Sequence, residues 1–227
     1  MANNKKLKEQ EAKRQENIEA TVSKTEQFFN DNKKTILGII AAILVIGLGV
    51  LAYNQFILKP KQTEAMEQMY PAENAFAAEQ YELALNGDGN ILGFNEIIDS
   101  YGAKGGKATY LYAGICNLRL GNFDEAIACL KKYNGKDKIL AARALSCIGD
   151  SYVGLEDYAS AVKYFEKAAD KSDNIFSASY LLKAGAVYEE LGQADKALAC
   201  YKEIKENYPQ SVEGYDIDKY ISRIENK

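Results

Sequence analysis

Residues 145–165 read LSCIGDSYVGLEDYASAVKYF, and residues 181–201 read LLKAGAVYEELGQADKALACY. The two stretches align without a gap at an offset of 36 residues, and a looser copy lies 35 residues before the first. Each copy carries a glycine and, twelve residues later, an alanine: Gly114 with Ala126, Gly149 with Ala161, and Gly185 with Ala197. Recurrence at a period of this length indicates a stack of repeated supersecondary units.

The small residues of each copy predict a helical hairpin. Two helices approach to about 8–10 Å only where the side chains at their crossing are small. Gly149 in a first helix and Ala161 in a second helix meet that requirement, and a large residue such as Phe165 then fills the space beside the crossing. Gly121 and Gly192 stand where the first helices should end, a position that suits a left-handed cap.

These copies resemble tetratricopeptide repeats, a family whose unit is two antiparallel helices in about 34 residues. The resemblance covers three repeats at residues 107–212, although Asn117 replaces an expected aromatic residue. It implies an all-α fold, a TPR-type helical-hairpin solenoid. Upstream, residues 59–106 are expected to form a linker helix over 62–85 and a degenerate first repeat. Downstream, residues 213–227 are expected to form a C-terminal capping helix, since an uncovered last repeat would expose its apolar face.

An uncharged stretch precedes the repeats. Residues 35–53 contain no charged side chain, and their number is close to the roughly 20 that a bilayer core requires. We predict a single N-terminal transmembrane helix over 35–58, preceded by a charged cytosolic tail at 1–34. That tail ends in a short amphipathic segment that could lie on the membrane surface. Two alternatives stay open: a helix buried in a soluble core, and a cleaved signal peptide.

The basic residues that flank this stretch predict its orientation. Lys24, Lys33 and Lys34 precede it, whereas Lys59 and Lys61 follow it. Cytoplasmic flanks of membrane helices carry an excess of lysine and arginine. The bias therefore favours an N-terminus in the cytosol.

Composition excludes several classes of function. The chain has 28 basic and 32 acidic residues and no histidine, which removes imidazole as a base or a metal ligand. Residues 59–227 hold 20 basic and 26 acidic residues, a balance that disfavours nucleic acid as a partner. The four cysteines match no metal-binding spacing, so we expect buried thiols. The NGDGN segment at 86–90 lacks the later ligands of a calcium loop. We predict no enzyme activity, no metal site and no cofactor.

The resemblance also implies where a partner would bind. In tetratricopeptide proteins the first helices of the pairs line a concave groove, and an apolar groove suits extended or helical protein segments. The lysine and asparagine set by which some members hold a terminal carboxylate is absent here. The preceding helix or a second copy of the chain could instead cover the groove. The groove positions implied by count are Leu111, Ile115, Leu118, Ser146, Asp150, Val153, Leu182, Ala186 and Glu189.

The order of a charged tail, one anchor and a small acidic repeat array is similar to the ancillary subunit of the bacterial Sec translocon. This likeness implies a single-pass protein of the bacterial inner membrane, with its repeats in the periplasm. The implied partners are translocon subunits, exported chains or periplasmic chaperones, and homo-oligomers are possible. The alternative is a structural scaffold of another cell-envelope complex, serving secretion, outer-membrane assembly or division.

Overall fold

The computed structural model describes residues 28–29, 31–102 and 106–226. Within them the chain is helical and contains no β-strand, apart from one backbone bridge between Gly87 and Leu92. The all-α fold class and the helical solenoid predicted from the sequence are confirmed. The chain divides into two compact units, Met1–Leu58 and Lys59–Lys227. The predicted charged tail lies outside the described residues over positions 1–27 and at position 30.

The first unit contains helix α1 over residues 31–53, which continues into five π-helical residues, Asn54–Leu58. The helical run that starts at Asp31 has the length and apolar composition that a membrane-spanning helix requires. Its apolar side chains are exposed; Ile43 keeps 63% of its surface, Val45 69% and Leu48 65%. No part of the most apolar stretch of this helix is buried. A core helix of a soluble protein would instead be covered by neighbouring elements.

The second unit consists of ten helices among the described residues. Three of them, α2, α3 and α4, precede the repeats that the sequence shows clearly, and α11 follows them. The helices are α2 (Lys59–Ala77), α3 (Tyr81–Asn86), α4 (Phe94–Tyr101), α5 (Lys107–Leu120), α6 (Phe123–Lys132), α7 (Lys138–Gly154), α8 (Tyr158–Ser172), α9 (Ser177–Glu190), α10 (Ala194–Asn207) and α11 (Val212–Glu225).

Four hairpins share one turn geometry: α2/α3, α5/α6, α7/α8 and α9/α10. In each turn a residue with positive φ is followed by the N-cap of the second helix, at φ −83° to −96° and ψ 64° to 71°. The N-cap amide donates to the carbonyl five residues earlier, at 2.9 Å each time, which is the pattern of a Schellman cap. The paired turn residues are Glu79–Gln80, Gly121–Asn122, Glu156–Asp157 and Gly192–Gln193.

The first of these hairpins corrects the prediction of one helix over 62–85. The chain reverses at residues 78–80, so α2 and α3 are separate helices. Ala72 and Ala84 are fully buried and stand where the later repeats carry their glycine and alanine. Pro71 lies inside α2 and does not end it, because the helix continues to Ala77.

Each helix crossing depends on its glycine, but the residue that packs on this glycine is not the alanine alone. A Cβ atom built on Gly149 would lie 2.6 Å from Cε1 of Phe165, and one built on Gly114 would lie 2.5 Å from Cγ of Leu130. Gly185 meets the ring of Tyr201 in the same way. The large residue four positions after the alanine therefore lies directly over the glycine, and not beside the crossing as predicted.

The C-terminal helix α11 covers the last repeat, in agreement with the predicted cap. Ile217 and Ile221 are buried in the same cluster as residues of α9 and α10. Tyr220 packs on Tyr201 with ring centroids 5.3 Å apart. Ser211 caps the helix, since its hydroxyl oxygen accepts a hydrogen bond from the Gly214 amide at 2.9 Å. The apolar end of the stack is thus closed by this helix.

Candidate functional site

The nine predicted groove positions lie on α5, α7 and α9, the first helices of the three clear repeats. Their exposure rises along the stack at two of the three equivalent positions, whereas Leu118, Val153 and Glu189 are all partly exposed. Leu111 and Ser146 are buried, while the equivalent Leu182 is partly exposed. At the next position Ile115 is buried, Asp150 is partly exposed and Ala186 is exposed. The nine residues therefore do not form one uniform surface.

Two of the predicted positions belong to the core. Leu111 and Ile115 keep only 5% and 6% of their surface. They share a hydrophobic cluster with Cys147 and Ile148 of α7, and Phe76 packs against it. The neighbouring repeat covers both side chains, so they offer no surface to a partner here.

Ser146 and Asp150 are tied to the following repeat. The ammonium group of Lys183 donates to both carboxylate oxygens of Asp150, at 2.8 and 2.7 Å, and lies 3.4 Å from the Ser146 hydroxyl. Lys183 also lies 5.5 Å above the ring of Phe165. The pair is only partly buried, with side-chain exposures of 43% and 32%, so its net contribution to stability is small. The pair links α7 to α9.

Glu189 is directed toward the C-terminal cap. Its Oε1 accepts hydrogen bonds from the Tyr201 hydroxyl at 2.7 Å and from the Arg223 guanidinium of α11. Burial, reinforced by this carboxylate, raises the pKa of Tyr201, which therefore stays a protonated donor. The carboxylate joins α9, α10 and α11, so it has a structural task where the sequence predicted a contact with a partner.

Four apolar predicted positions keep accessible surface: Leu118, Val153, Leu182 and Ala186. Leu118, Val153 and Leu182 also pack against core clusters, so only part of each side chain is free. Ala186 is the most open of them. The accessible part of the predicted groove is small and apolar, and it lies mainly on α9.

Among the described residues, no three acidic, cysteine or histidine side chains lie close enough together to bind one metal ion. In the NGDGN segment, Asp88 accepts hydrogen bonds from the amides of Asn90 and Ile91, at 2.9 and 3.1 Å. These bonds lower the pKa of Asp88. The carboxylate thus closes a local turn.

The cysteines are free and mostly buried, as predicted. Cys116, Cys147 and Cys200 are buried, and Cys129 is partly exposed. Burial raises the pKa of Cys116 and of Cys200 to about 12, and that of Cys147 to about 11. Reactivity requires the thiolate, so these thiols are packing residues at neutral pH.

The structure also exposes apolar side chains that sequence reasoning missed. Leu140, Phe176 and Val212 recur at intervals of 36 residues near the start of α7, α9 and α11, with exposures of 40%, 51% and 83%. Ile139 and Ile175 precede the first two and are also exposed. The 36-residue recurrence is visible in the sequence, but spacing alone does not indicate whether another element covers a side chain.

Comparison with known families supports the assignment of the repeats. Residues 108–136 match one model described as a tetratricopeptide repeat, and residues 140–210 match a second model with the same description. The chain therefore contains tetratricopeptide repeats over these residues. Repeats of this kind are protein–protein interaction modules.

Individual proteins are similar over larger parts of the chain. Two crystal structures of MamA superpose with TM-scores of 0.55 and 0.53, at 19% and 18% identity, and cover 73% and 68% of this chain and 83% and 92% of theirs. Identity this low shows the shared fold alone. The 43 kDa receptor-associated protein of the synapse from Tetronarce californica is 27% identical over an alignment of 165 residues, and the match covers 63% of this chain. The match covers 40% of that relative's length.

Proposed function

We propose that this protein is a membrane-anchored interaction module, in which α1 spans a bilayer and the repeats bind protein partners beside it. The observation that carries the proposal is the exposed apolar surface of α1. No part of the most apolar stretch of this helix is buried. Apolar surface of that extent is unfavourable in water. A bilayer would cover it over the length that the helix offers.

The binding function rests on the repeats and on the open part of the groove. Leu182 and Ala186 offer apolar surface on α9, which suits an extended or helical segment of another protein. Tethering raises the local concentration of a weak binder near its target. The proposed activity is binding, without catalysis and without a cofactor or nucleic acid.

The proposed setting is the bacterial inner membrane, with the N-terminus in the cytosol and the repeats in the periplasm. It is supported by the basic residues before the helix, Lys24, Lys33 and Lys34, and by the layout shared with an ancillary Sec translocon subunit. In this setting the repeats would contact translocon subunits, exported chains or periplasmic chaperones.

A second candidate is a scaffold that holds another membrane complex together. The similarity to a receptor-associated protein favours it, since that protein is named for its association with a receptor. The two candidates differ in partner. A chaperone-like factor contacts many exported chains, whereas a scaffold keeps one stable folded partner.

Alkaline carbonate extraction of cell membranes tests the anchor. We expect the wild-type protein to stay in the membrane pellet and an Ile43→Arg/Ile46→Arg variant to move to the supernatant. The control is Met66→Arg, which also charges an exposed apolar residue but lies outside the uncharged stretch. Extraction of the wild-type protein, or a mature protein whose N-terminus lies after Ala52, would contradict the proposal.

Protease treatment of spheroplasts and photo-crosslinking test the location and the partner. We expect the repeats to be digested once the outer membrane is opened, and protection there would place them in the cytosol. A photo-crosslinking residue at Ala186 is expected to capture exported chains or translocon subunits. The same group at Lys163, an exposed position on α8, serves as the control. A single folded partner at Ala186 would favour the scaffold.

A further inference from the structure

A cavity of about 340 Å³ lies where α6 ends, between α7 and α8. This volume is within the range of about 300–1,000 Å³ that is usual for ligand pockets. Its apolar lining comes from α7, with Ala144, Leu145 and Ile148. Tyr133 and Tyr164 add aromatic surface. The cavity lies on other elements than the open groove surface on α9, so its use is independent of the function proposed above.

Two ammonium groups also line this cavity. Lys131 and Lys171 are among the lining residues, and no carboxylate is. Within the described part of the chain, neither lysine has a carboxylate within 4 Å. Lys131 instead lies 3.4 Å from the Tyr152 hydroxyl. The carboxylate of Asp137, in the adjoining loop, accepts from the Leu140 amide at 2.8 Å and caps α7.

Further cations surround the cavity. Lys107 donates to the carbonyl of Asn134, a lining residue, at 3.1 Å. Lys167 lies 5.1 Å above the ring of Tyr164, which stacks on Tyr152. Residues 104–143 hold eight basic and three acidic residues, although residues 59–227 as a whole are acidic. The segment from α5 to the start of α7 is therefore basic, a charge that favours an acidic ligand.

We infer that this cavity, which we call the basic pocket, binds an acidic peptide segment that carries an apolar side chain. The apolar side chain would enter against Ala144 and Ile148, and the flanking carboxylates would meet Lys131 and Lys171. A nucleic acid has the charge but lacks an aliphatic side chain to fill the apolar part. The occupant is thus a partner protein with acidic and apolar residues close together.

The test is fluorescence anisotropy with the full-length protein in detergent micelles. The probe is a labelled six-residue peptide that alternates leucine with aspartate. Its matched control alternates leucine with asparagine. We expect the acidic peptide to bind at least tenfold more tightly than the neutral one, and its affinity to fall when NaCl is raised from 50 to 500 mM, because salt screens exposed charges.

Variants separate the two parts of the pocket. Lys131→Glu/Lys171→Glu is expected to weaken binding of the acidic peptide at least tenfold. Lys163→Glu/Lys196→Glu makes the same change of charge outside the pocket lining and should change the affinity less than threefold. Ala141→Phe, at a partly exposed lining position, is expected to block the apolar part. Circular dichroism checks that each variant is folded.

Three outcomes of the peptide measurements overturn the inference: the acidic peptide does not bind, the neutral peptide binds equally well, or the pocket variants bind like the wild type. Tighter binding of a single-stranded oligonucleotide than of the acidic peptide would also overturn it, because charge alone would then select the ligand. None of these outcomes bears on carbonate extraction. The inference about the basic pocket can therefore be wrong while the proposed membrane anchor is right, and the reverse also holds.

Discussion

Glu156 occupies the position where two of the repeats have glycine. Its φ is 59°, against 82° at Gly121 and 68° at Gly192. The left-handed region costs a residue with a Cβ roughly 1–2 kcal/mol, whereas glycine adopts it freely. The turn between α7 and α8 is formed despite this cost, because the N-cap Asp157 accepts a hydrogen bond from the Ser160 amide and the hairpin packs on both sides.

Replacing this residue should stabilise the protein. Glu156→Gly is expected to raise the free energy of unfolding by about 0.5–1 kcal/mol, the gain in the turn less the added entropy of the unfolded chain. Gly192→Ala is the matched control, because a Cβ there meets nothing within 4 Å and only the backbone is strained. Thermal unfolding should show shifts of opposite sign. A lower melting temperature for Glu156→Gly would refute the argument.

The helix crossing predicts a larger effect at Gly149. Phe165, which is 1% exposed, lies where a side chain at position 149 would have to go. Gly149→Leu should therefore overpack the α7/α8 crossing and lower the stability by about 1–3 kcal/mol or more. Ala159→Leu, at an exposed position on α8, is the control. Chemical denaturation measures both, and a wild-type midpoint for Gly149→Leu would exclude this crossing.

At the scale of elements, α11 shows what closes the stack. Its inner residues Ile217 and Ile221 are buried against α9 and α10. Its outer residues make ion pairs with α10, with Lys202 and Glu225 2.9 Å apart and Lys205 and Asp218 2.7 Å apart. Exposed pairs contribute little, so the apolar face carries most of the attachment.

Two substitutions on the same helix can separate these faces. Ile217→Ala should destabilise the protein by about 2–5 kcal/mol, because it removes a side chain that is 1% exposed and leaves a cavity. Val212→Ala, at 83% exposure, should change the stability by about 0.5 kcal/mol or less. Urea denaturation followed by circular dichroism measures both. Equal midpoints for the two variants would mean that α11 does not cover the stack.

The first hairpin shows the limit of pattern reasoning for elements. Residues 62–85 have apolar residues at helical spacing on both sides of the turn, so the periodicity does not mark the reversal at 78–80. Glu79 takes a positive φ of 59° without being glycine. The buried pair Ala72 and Ala84 carried the twelve-residue spacing of the other repeats, and this was the signal that could have revealed the hairpin.

For the whole molecule, the order of residues was enough to predict both the repeats and the helix formed by the uncharged stretch at residues 35–53. The spacing of glycine and alanine predicts the hairpins because the two helices of one repeat are joined by a turn of constant length. Contacts within a repeat therefore recur at constant separations along the chain. The unbroken apolar run likewise predicts a helix of membrane-spanning length without reference to any other segment.

The accessible surface could not be predicted in this way, because it depends on which side chain of another repeat lies opposite each position. Leu111 and Leu182 occupy equivalent places in their repeats, yet the first is buried against residues of α7, whereas the second is partly exposed. Counting along the repeat places Glu189 in the groove, but in the structure its carboxylate accepts a hydrogen bond from Arg223 of α11. The basic pocket likewise exists only because three helices bring Lys131 and Lys171 together. Repeat spacing encodes short-range packing, whereas burial and charge clustering arise from contacts between segments far apart in the chain.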